Sequence, residues 1–313
     1  DPVHRYIPAF KHTKVWRAGS VTSPVLDPMV ETMRLWQLFA HTAGLTYGFM
    51  YNHPVDELYR RAGFEWGIPK DTDLAGMCDA LAALPLLFQP GTEWNYSMGL
   101  DVLGRVLEVV SGQSLDELLR TRLLEPLGMS ETTWHVPDDK HHRLARLYGA
   151  HPATRQAIPL DMMGDAAKSP PQAFLGGGGL QSTAHDYQRF VQMLSRGGEL
   201  DGVRILSPRT VEFMSSNHLP NNADLTAFGR PLFSETTFDG VGFGLGVSVT
   251  IDPVKGRVPG NAGEFAWGGA ASTAFWVDPV EDLTVTFFTQ LLPSSVHPIR
   301  SQLKQLVYQS LVD

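Results

Sequence analysis

Serine, histidine and glycine motifs of common hydrolytic and phosphate-binding sites provide the first test of what this sequence can do. It contains no Gly-x-Ser-x-Gly and no His-Glu-x-x-His, which excludes the nucleophile elbow of α/β-hydrolases and the zinc helix of metalloproteases. A glycine quartet occupies residues 176–179, but Leu180-Gln181-Ser182 follows it where a phosphate-binding loop has Lys-Ser or Lys-Thr. The quartet therefore indicates a tight structural loop.

Three histidines lie in one polar stretch and could suggest a metal site. His141, His142 and His151 are close in sequence to Asp138 and Asp139. No two of these histidines are spaced i, i+4 as in a zinc-binding helix, so a solvated surface is the better interpretation. We expect neither a metal ion nor a cofactor.

A turn-rich segment leads directly into a helical pattern, and here a specific resemblance emerges. The sequence PGTEWNYSMGLDVLGRVLEVVSGQSLDELLRTRLLEPLGMSETTW begins at Pro90. It is similar to the tyrosine-motif region of beta-lactamase-like serine esterases, often called family VIII carboxylesterases, and of class C beta-lactamases. Three more segments agree in order: WQLFAHTAGLTYGF from Trp36, GGGGLQSTAHDYQRFVQML from Gly176 and FAWGGAASTAFWVDP from Phe265. Together these segments span most of the chain.

The resemblance implies a catalytic role for Tyr96. In that family a Ser-x-x-Lys motif supplies the nucleophile and a proton-handling amine, and a loop tyrosine shares the role of the base. A phenol that normally titrates near pH ~10 can hold or pass a proton at neutral pH when a nearby ammonium favours its phenolate. Asp101 resembles a supporting carboxylate of the esterase branch, although placement near a helix N-terminus explains it equally well.

The sequence Trp267-Gly268-Gly269-Ala270 resembles the esterase version of the strand motif that is Lys-Thr-Gly in beta-lactamases. The glycines would let an edge strand approach the substrate closely, and the Ala270 backbone amide would be one of two oxyanion donors. The alternative is a glycine bulge beside a core tryptophan.

Two departures from the beta-lactamase pattern concern the substrate. The resemblance places Ser97, Met98, Trp267, Gly268 and Gly269 against it. Trp267 replaces the lysine that can attract a penicillin carboxylate, and Met98 replaces an asparagine whose amide can hydrogen-bond an acylamino group. Both changes favour neutral esters over lactams.

The nucleophile motif is the largest departure. The opening DPVHRYIPAF resembles the segment that follows the Ser-x-x-Lys helix, and the only Ser-x-x-Lys in the chain is Ser301–Lys304 on a C-terminal helical pattern. We interpret that match as coincidence and expect the chain as given to be inactive. Without the strands and nucleophile helix of that segment the sheet would be incomplete. A missing N-terminal segment or a second chain would then complete the fold.

Helical and strand patterns indicate the elements that position these motifs. Helices are predicted over Asp101–Val110, Ser114–Leu124, Ala184–Ser195 and Ile299–Val312. In the last of these, Leu303, Leu306, Val307 and Leu311 are expected to cover one face of a sheet. Strands of an antiparallel meander are predicted over Gly242–Ile251, Ala271–Val277 and Leu283–Gln290.

The resulting prediction is an α+β fold of the beta-lactamase/transpeptidase type, with an antiparallel sheet flanked by helices and a mostly helical lobe. The sheet domain is assigned to residues 1–25 and 171–313, and the helical domain to residues 26–170.

Composition limits the partners. With 25 Lys and Arg against 33 Asp and Glu, the net charge of −8 would repel nucleic acid and an anionic membrane surface. A small-molecule ester is the expected partner. The lone Cys78 excludes an intrachain disulfide and a cysteine-rich metal centre. A cytoplasmic location is favoured, while a periplasmic or secreted one stays open.

These observations predict a serine carboxylesterase that acts on small to medium carboxylic esters through an acyl-enzyme. An acyltransferase is the close alternative, because the choice of acceptor depends on pocket shape. Beta-lactamase activity is a further alternative, and a non-catalytic binding protein with an inherited cleft is the alternative from a different class.

Overall fold

A computed structural model describes residues 1–230 and 238–312. The helices are α1 Leu35–Phe39, α2 Pro54–Arg61, α3 Leu74–Ala82, α4 Gly99–Ser111, α5 Leu115–Leu119, α6 Asp161–Gly164, α7 Ala184–Ser195, α8 Pro208–Met214, α9 Leu225–Phe228, α10 Pro253–Gly256 and α11 Ile299–Tyr308. The strands are β1 Lys14–Ser20, β2 Ser23–Pro28, β3 Tyr148–Ala150, β4 Ala157–Pro159, β5 Glu199–Leu200, β6 Val203–Arg204, β7 Val241–Phe243, β8 Ser248–Thr250, β9 Phe265–Gly268, β10 Ala274–Asp278, β11 Leu283–Phe287 and β12 Leu291–Leu292.

The chain divides into two compact units. Unit 1 comprises Asp1–Leu118, Gln172–Gly179 and residues 228–230, and unit 2 comprises Leu119–Pro171, Leu180–Ala227 and residues 238–312. The division predicted from sequence, at residues 1–25, 26–170 and 171–313, stays a prediction. Residues 231–237 and 313 of its sheet domain lie outside the described residues.

Unit 1 contains the antiparallel hairpin β1–β2 and the helices α1 to α4. Helix α4 packs against α1 and α3, because Val102, Leu103 and Val106 form a buried stripe at helical spacing. The helix ends where Gly112 adopts a left-handed conformation, with φ of 70°. Asp101 is thereby placed in the first turn of a helix that is anchored along its length.

Unit 2 is organised around an antiparallel sheet with strand order β11-β10-β9-β8-β7. Helix α7 packs on β10 and β11. Their shared apolar core includes Leu127, Val191, Val249, Phe275 and Val277. The predicted α+β class with an antiparallel sheet flanked by helices is confirmed.

The strand predicted over Gly242–Ile251 is wrong as a single element. It forms the two antiparallel strands β7 and β8, joined by a turn in which the Gly244 N–H donates to the Val247 carbonyl at 2.8 Å. Gly246 in this turn has φ of 87°, a conformation that glycine adopts at little cost. A continuous β-rich composition concealed the hairpin.

Helix α11 contacts the sheet differently from the prediction. Leu306 is 59% exposed and Leu311 lies beyond the end of the helix. The side chains that reach the sheet region are polar and spaced four residues apart, namely Arg300, Lys304 and Tyr308. Spacing of i, i+4, i+8 puts them on one face. Leu303 and Val307 are half-buried, so charge and hydrogen bonding dock this helix together with a shorter apolar row than was expected.

The carboxylates that contact the polar side chains of α11, Glu264 and Asp278, are buried. Lys304 pairs with Glu264, and the Tyr308 hydroxyl lies 2.8 Å from Glu264 Oε2 and 2.5 Å from Asp278 Oδ2. Burial alone would raise the pKa of Asp278, but hydrogen bonds from Tyr308 and Asn261 outweigh it and hold that pKa below its usual range.

Within the described residues, no helix has the length and apolar character needed to cross a membrane.

Candidate active site

Tyr96 lies in the loop immediately before α4 and is half-buried. Its ring contacts the His41 ring at a centroid distance of 4.9 Å and the Tyr47 ring at 5.2 Å. A hydrogen bond anchors this loop, because the Asn95 side-chain amide donates to the Leu45 carbonyl at 3.2 Å. Tyr96 is therefore fixed by aromatic packing and by the backbone on either side of it.

A hydrogen-bonded network connects Tyr96 to Asp101 through Tyr47. The Tyr47 hydroxyl bonds to the Tyr96 hydroxyl and to the Asp101 carboxylate. Gly177 completes the network, because its N–H donates to Asp101 Oδ1 at 2.9 Å. A Cβ atom at Gly177 would lie about 3 Å from the Asp101 oxygens and the Tyr47 hydroxyl, so the close approach requires glycine at this position.

The network shifts the ionisation of its members. Asp101 is 2% exposed, and burial raises its pKa to about 6 although hydrogen bonds from Gly177 and Tyr47 favour the charged form. Burial, together with the neighbouring Asp101 and Tyr96, raises the pKa of Tyr47 well above its ordinary value. A single Tyr47 proton cannot be donated to both neighbours. When Tyr47 donates to Asp101, its oxygen is left to accept from Tyr96.

A buried histidine supports the loop on the other side of Tyr96. His41 Nδ1 lies 3.1 Å from the Ser97 hydroxyl oxygen, and the His41 ring meets Trp94 edge-on at 6.0 Å. Burial lowers the pKa of His41 to about 3, so the ring is neutral at neutral pH.

The neutral state of His41 predicts a pH dependence of stability. In the unfolded chain a histidine titrates near 6.5, so the pKa is depressed by folding. The stabilising contribution is complete above pH ~6.5 and is lost as pH falls towards about 3. Between pH 7 and pH 4, the free energy of unfolding measured in urea should fall by about 3 kcal/mol less in His41→Asn than in wild type. Asparagine tolerates the left-handed backbone at this position, where φ is 53°.

His185→Asn is the matched control, because that side chain is 80% exposed. The control should retain the wild-type dependence. If wild type and His41→Asn change in parallel as pH falls, His41 is protonated in the folded protein and this account is wrong.

The strand motif lies in unit 2, at the end of β9 and in the turn that follows. The half-buried Trp267 packs edge-on against Phe243 at 5.3 Å. In the turn, the Gly269 N–H lies 3.1 Å from both the Thr273 carbonyl and its hydroxyl oxygen. Ala270 is exposed, and in the part of the chain that the structure describes its N–H donates to no protein acceptor.

The remaining sequence-predicted residues are placed as follows. Ser97 and Met98 are both buried, at 1% and 3% exposure, Ser97 against His41 and Met98 in the core of unit 1. Their assignment to substrate binding stays a prediction, as do those of Trp267, Gly268 and Gly269. In unit 2, Ser301 donates to the Pro298 carbonyl and Lys304 is engaged by Glu264.

Sequence reasoning missed Tyr47, His41 and Gly177 as members of the site. Tyr47 and His41 lie in the WQLFAHTAGLTYGF segment that carried part of the family resemblance, and Gly177 lies in the quartet interpreted as a structural loop. The available signal was that these three residues lie in segments that resemble the family and occur in the same order as in the family. Nothing in local composition distinguishes Tyr47 from the chain's other tyrosines.

Comparisons with known proteins agree with this architecture. The family described as Beta-lactamase matches residues 1–309. Protein Rv1367c of Mycobacterium tuberculosis (strain ATCC 25618 / H37Rv) is 36% identical over 297 residues, which cover 94% of this chain and 71% of that protein. Lovastatin esterase of Penicillium rubens is 28% identical over 271 residues, covering 83% of this chain and 65% of that protein.

A solved structure is similar throughout. EstCE1, described as a hydrolase with promiscuous acyltransferase activity, matches with a TM-score of 0.78 and 26% identity, over 98% of this chain and 77% of that one. The chain belongs to the beta-lactamase family.

Proposed function

We propose that this protein is a serine carboxylesterase that acts through an acyl-enzyme, with Tyr96 as its proton-transfer residue. The observation that carries the proposal is the network Tyr96–Tyr47–Asp101–Gly177 in a chain of the beta-lactamase family. Ionisable groups with shifted pKa values are concentrated at functional sites, which supports a functional role for the buried Asp101 beside its tyrosine pair.

The proposed reaction balances as two acyl transfers. A serine hydroxyl attacks the ester carbonyl while Tyr96 takes its proton as a phenolate, the form that the ammonium of the Ser-x-x-Lys lysine would favour, and the same proton goes to the departing alcohol. Water then attacks the acyl-enzyme, and the acid and the serine hydroxyl are released. The Ala270 N–H is the proposed donor to the oxyanion.

The nucleophile is proposed to come from a Ser-x-x-Lys motif outside these 313 residues. Ser301–Lys304 is unsuited to the role, because Lys304 is engaged by the buried Glu264 and a paired ammonium is a poor proton acceptor. The match covers 71% of Rv1367c and 77% of EstCE1, so both of these proteins contain sequence beyond the part that this chain matches.

Neutral esters are the proposed substrates. Trp267 offers an apolar surface and one N–H donor where a lysine would attract a carboxylate. The relatives support the same chemistry, since one is named an esterase and the similar structure is described as a hydrolase. That description also includes acyltransferase activity, so an alcohol acceptor is the second candidate for the deacylation step.

Burst kinetics with a short-chain nitrophenyl ester test the proposal. The assay compares this chain with the longest natural form of the protein, and mass spectrometry identifies any acylated residue. We expect a burst and an acyl-serine in the longer form alone. Adding a primary alcohol then separates transfer from hydrolysis by the product formed. A folded longer form that does not acylate would refute the proposal and favour a binding protein.

A further inference from the structure

Arg300 lies at the start of α11 and reaches the turn that follows β9. Its Nη2 donates to the Gly269 carbonyl at 2.6 Å and to the Thr273 carbonyl at 3.0 Å, and its Nε donates to the Thr273 carbonyl at 3.3 Å. The guanidinium therefore joins the two ends of the turn 269–273 from one side. All of these contacts lie within unit 2.

We infer that Arg300 is a positioning residue that orients and polarises the peptide between Gly269 and Ala270, and so strengthens the Ala270 N–H as an oxyanion donor. This inference rests on the proposed function, in which Ala270 has that role. Arg300 would act through the peptide and would not touch the substrate.

The physical basis is the planarity of the peptide group. The Gly269 carbonyl and the Ala270 N–H belong to one resonance-stabilised plane and point in opposite directions. A charged donor on the carbonyl makes a charge-assisted hydrogen bond. It withdraws electron density from the peptide, and hydrogen bonds in such a chain strengthen one another. The N–H at the other end becomes a better donor, and it belongs to the exposed Ala270, where it donates to no acceptor among the described residues.

Other contacts fix the far side of the turn, so that the peptide has a defined orientation. Ser272 adopts a left-handed conformation with φ of 69°, its N–H donates to the Gly269 carbonyl at 3.1 Å, and its hydroxyl donates to the Leu291 carbonyl at 2.6 Å. The Leu291 N–H donates in turn to the Ala271 carbonyl at 3.1 Å. Arg300 supplies the charged member of this set.

The glycine before the turn is explained by the same contact. A Cβ atom at Gly268 would lie 2.6 Å from both the Arg300 Cζ and the Thr273 carbonyl oxygen. Neither the guanidinium nor the backbone could stay in place. Glycine at 268 therefore permits the approach of Arg300 to the turn, independently of any role in admitting substrate.

A different role for Arg300, as the binding group for a substrate carboxylate, makes an opposite prediction. A carboxylate ligand would make the effect of mutation depend on substrate charge and would appear in KM. A polarised peptide acts on the transition state of every ester and appears in kcat.

The experiment uses the longest natural form of the protein with Arg300→Gln, Arg300→Lys and the control Arg209→Gln. Arg209 lies on α8, is 89% exposed and pairs with Glu212. Two nitrophenyl esters of equal length, one neutral and one carrying a carboxylate, are compared. A second readout, the ¹⁵N shift of the Ala270 amide in alanine-labelled protein, needs no activity.

We expect Arg300→Gln to lower kcat about tenfold for both esters with KM within about twofold, since loss of a whole oxyanion donor costs about 10²–10³. Arg300→Lys should recover part of this loss. The Ala270 ¹⁵N signal should move upfield in Arg300→Gln and stay in place in Arg209→Gln.

An unmoved Ala270 signal in folded Arg300→Gln overturns the inference whether or not the protein acylates. A rise in KM confined to the carboxylate ester overturns it in favour of substrate binding. If wild type forms no acyl-enzyme while the Ala270 signal moves as expected, the proposed function fails and the structural role of Arg300 stands.

Discussion

Tyr96→Phe should lower kcat for ester hydrolysis by about 10²–10⁴-fold in the longest natural form of the protein, the range for removing a positioned acid-base group. The phenylalanine ring keeps the contacts with His41 and Tyr47, at 4.9 Å and 5.2 Å, so folding should be preserved. Stopped-flow measurement of the acylation burst separates the two steps. The acylation rate should fall, because the serine proton then loses Tyr96 as its proposed acceptor.

Tyr6→Phe is the matched control. Its hydroxyl donates to Asp1 at 2.7 Å, and it lies in the short turn region at the start of the chain. The control should leave acylation unchanged. An acylation rate within a factor of three of wild type for folded Tyr96→Phe would remove Tyr96 from the proton path and leave it as a packing residue.

Asp101→Asn should make the protein more stable at pH 8 and less active. A carboxyl pKa of about 6 in the folded state, against about 3.9 in the unfolded chain, corresponds to about 3 kcal/mol. Because the folded pKa is raised, the protonated carboxyl is favoured by folding below pH ~4, and this advantage is lost as pH rises through about 6. The neutral isostere avoids that loss, so urea unfolding should show a gain near 3 kcal/mol at pH 8 that vanishes at pH 4.

The activity of the same variant should fall about tenfold to hundredfold, because misplacing a reacting group by a fraction of an ångström is costly. The Asp101 carboxylate accepts from Tyr47 and holds it against Tyr96, whereas an amide can donate or accept and does not fix the position of Tyr47.

Asp79→Asn, at an exposed position on α3, is the control and should change neither quantity. A loss of stability at pH 8 in Asp101→Asn would mean that the carboxylate is retained for folding. In that case the buried charge is structural, and the network would have to be reassigned.

The family, the α+β class and the antiparallel sheet were predictable from sequence because they depend on ordered motifs and on residue periodicity. The tyrosine segment from Pro90 and the strand segment from Phe265 each carry a turn, a glycine or an aromatic at fixed spacing. Helix α7 was predicted with its observed bounds, Ala184–Ser195, because an N-capping Thr183 precedes a clear amphipathic pattern.

Elements whose bounds depend on backbone conformation were harder to predict from the sequence. The hairpin β7–β8 interrupts a continuous β-rich run, and the left-handed Gly246 that turns it is one of 30 glycines in the sequence. The face that α11 presents was also hidden. Leu303, Leu306 and Val307 suggested an apolar contact, whereas the buried Glu264 and Asp278 that select Lys304 and Tyr308 come from distant parts of the chain.

The candidate site also combines features predictable from sequence with features that only the tertiary structure decides. The sequence by itself predicted that Tyr96, Asp101 and the Trp267–Ala270 motif match one family pattern, because each keeps a local spacing that can be read along the chain, and their roles stay predictions. Only the tertiary structure decided that Tyr47 joins Tyr96 to Asp101 and that Gly177 closes the network. Only it brought Arg300 to the Gly269 carbonyl. These contacts join residues dozens of positions apart, and packing between elements, not local preference, determines which side chains meet.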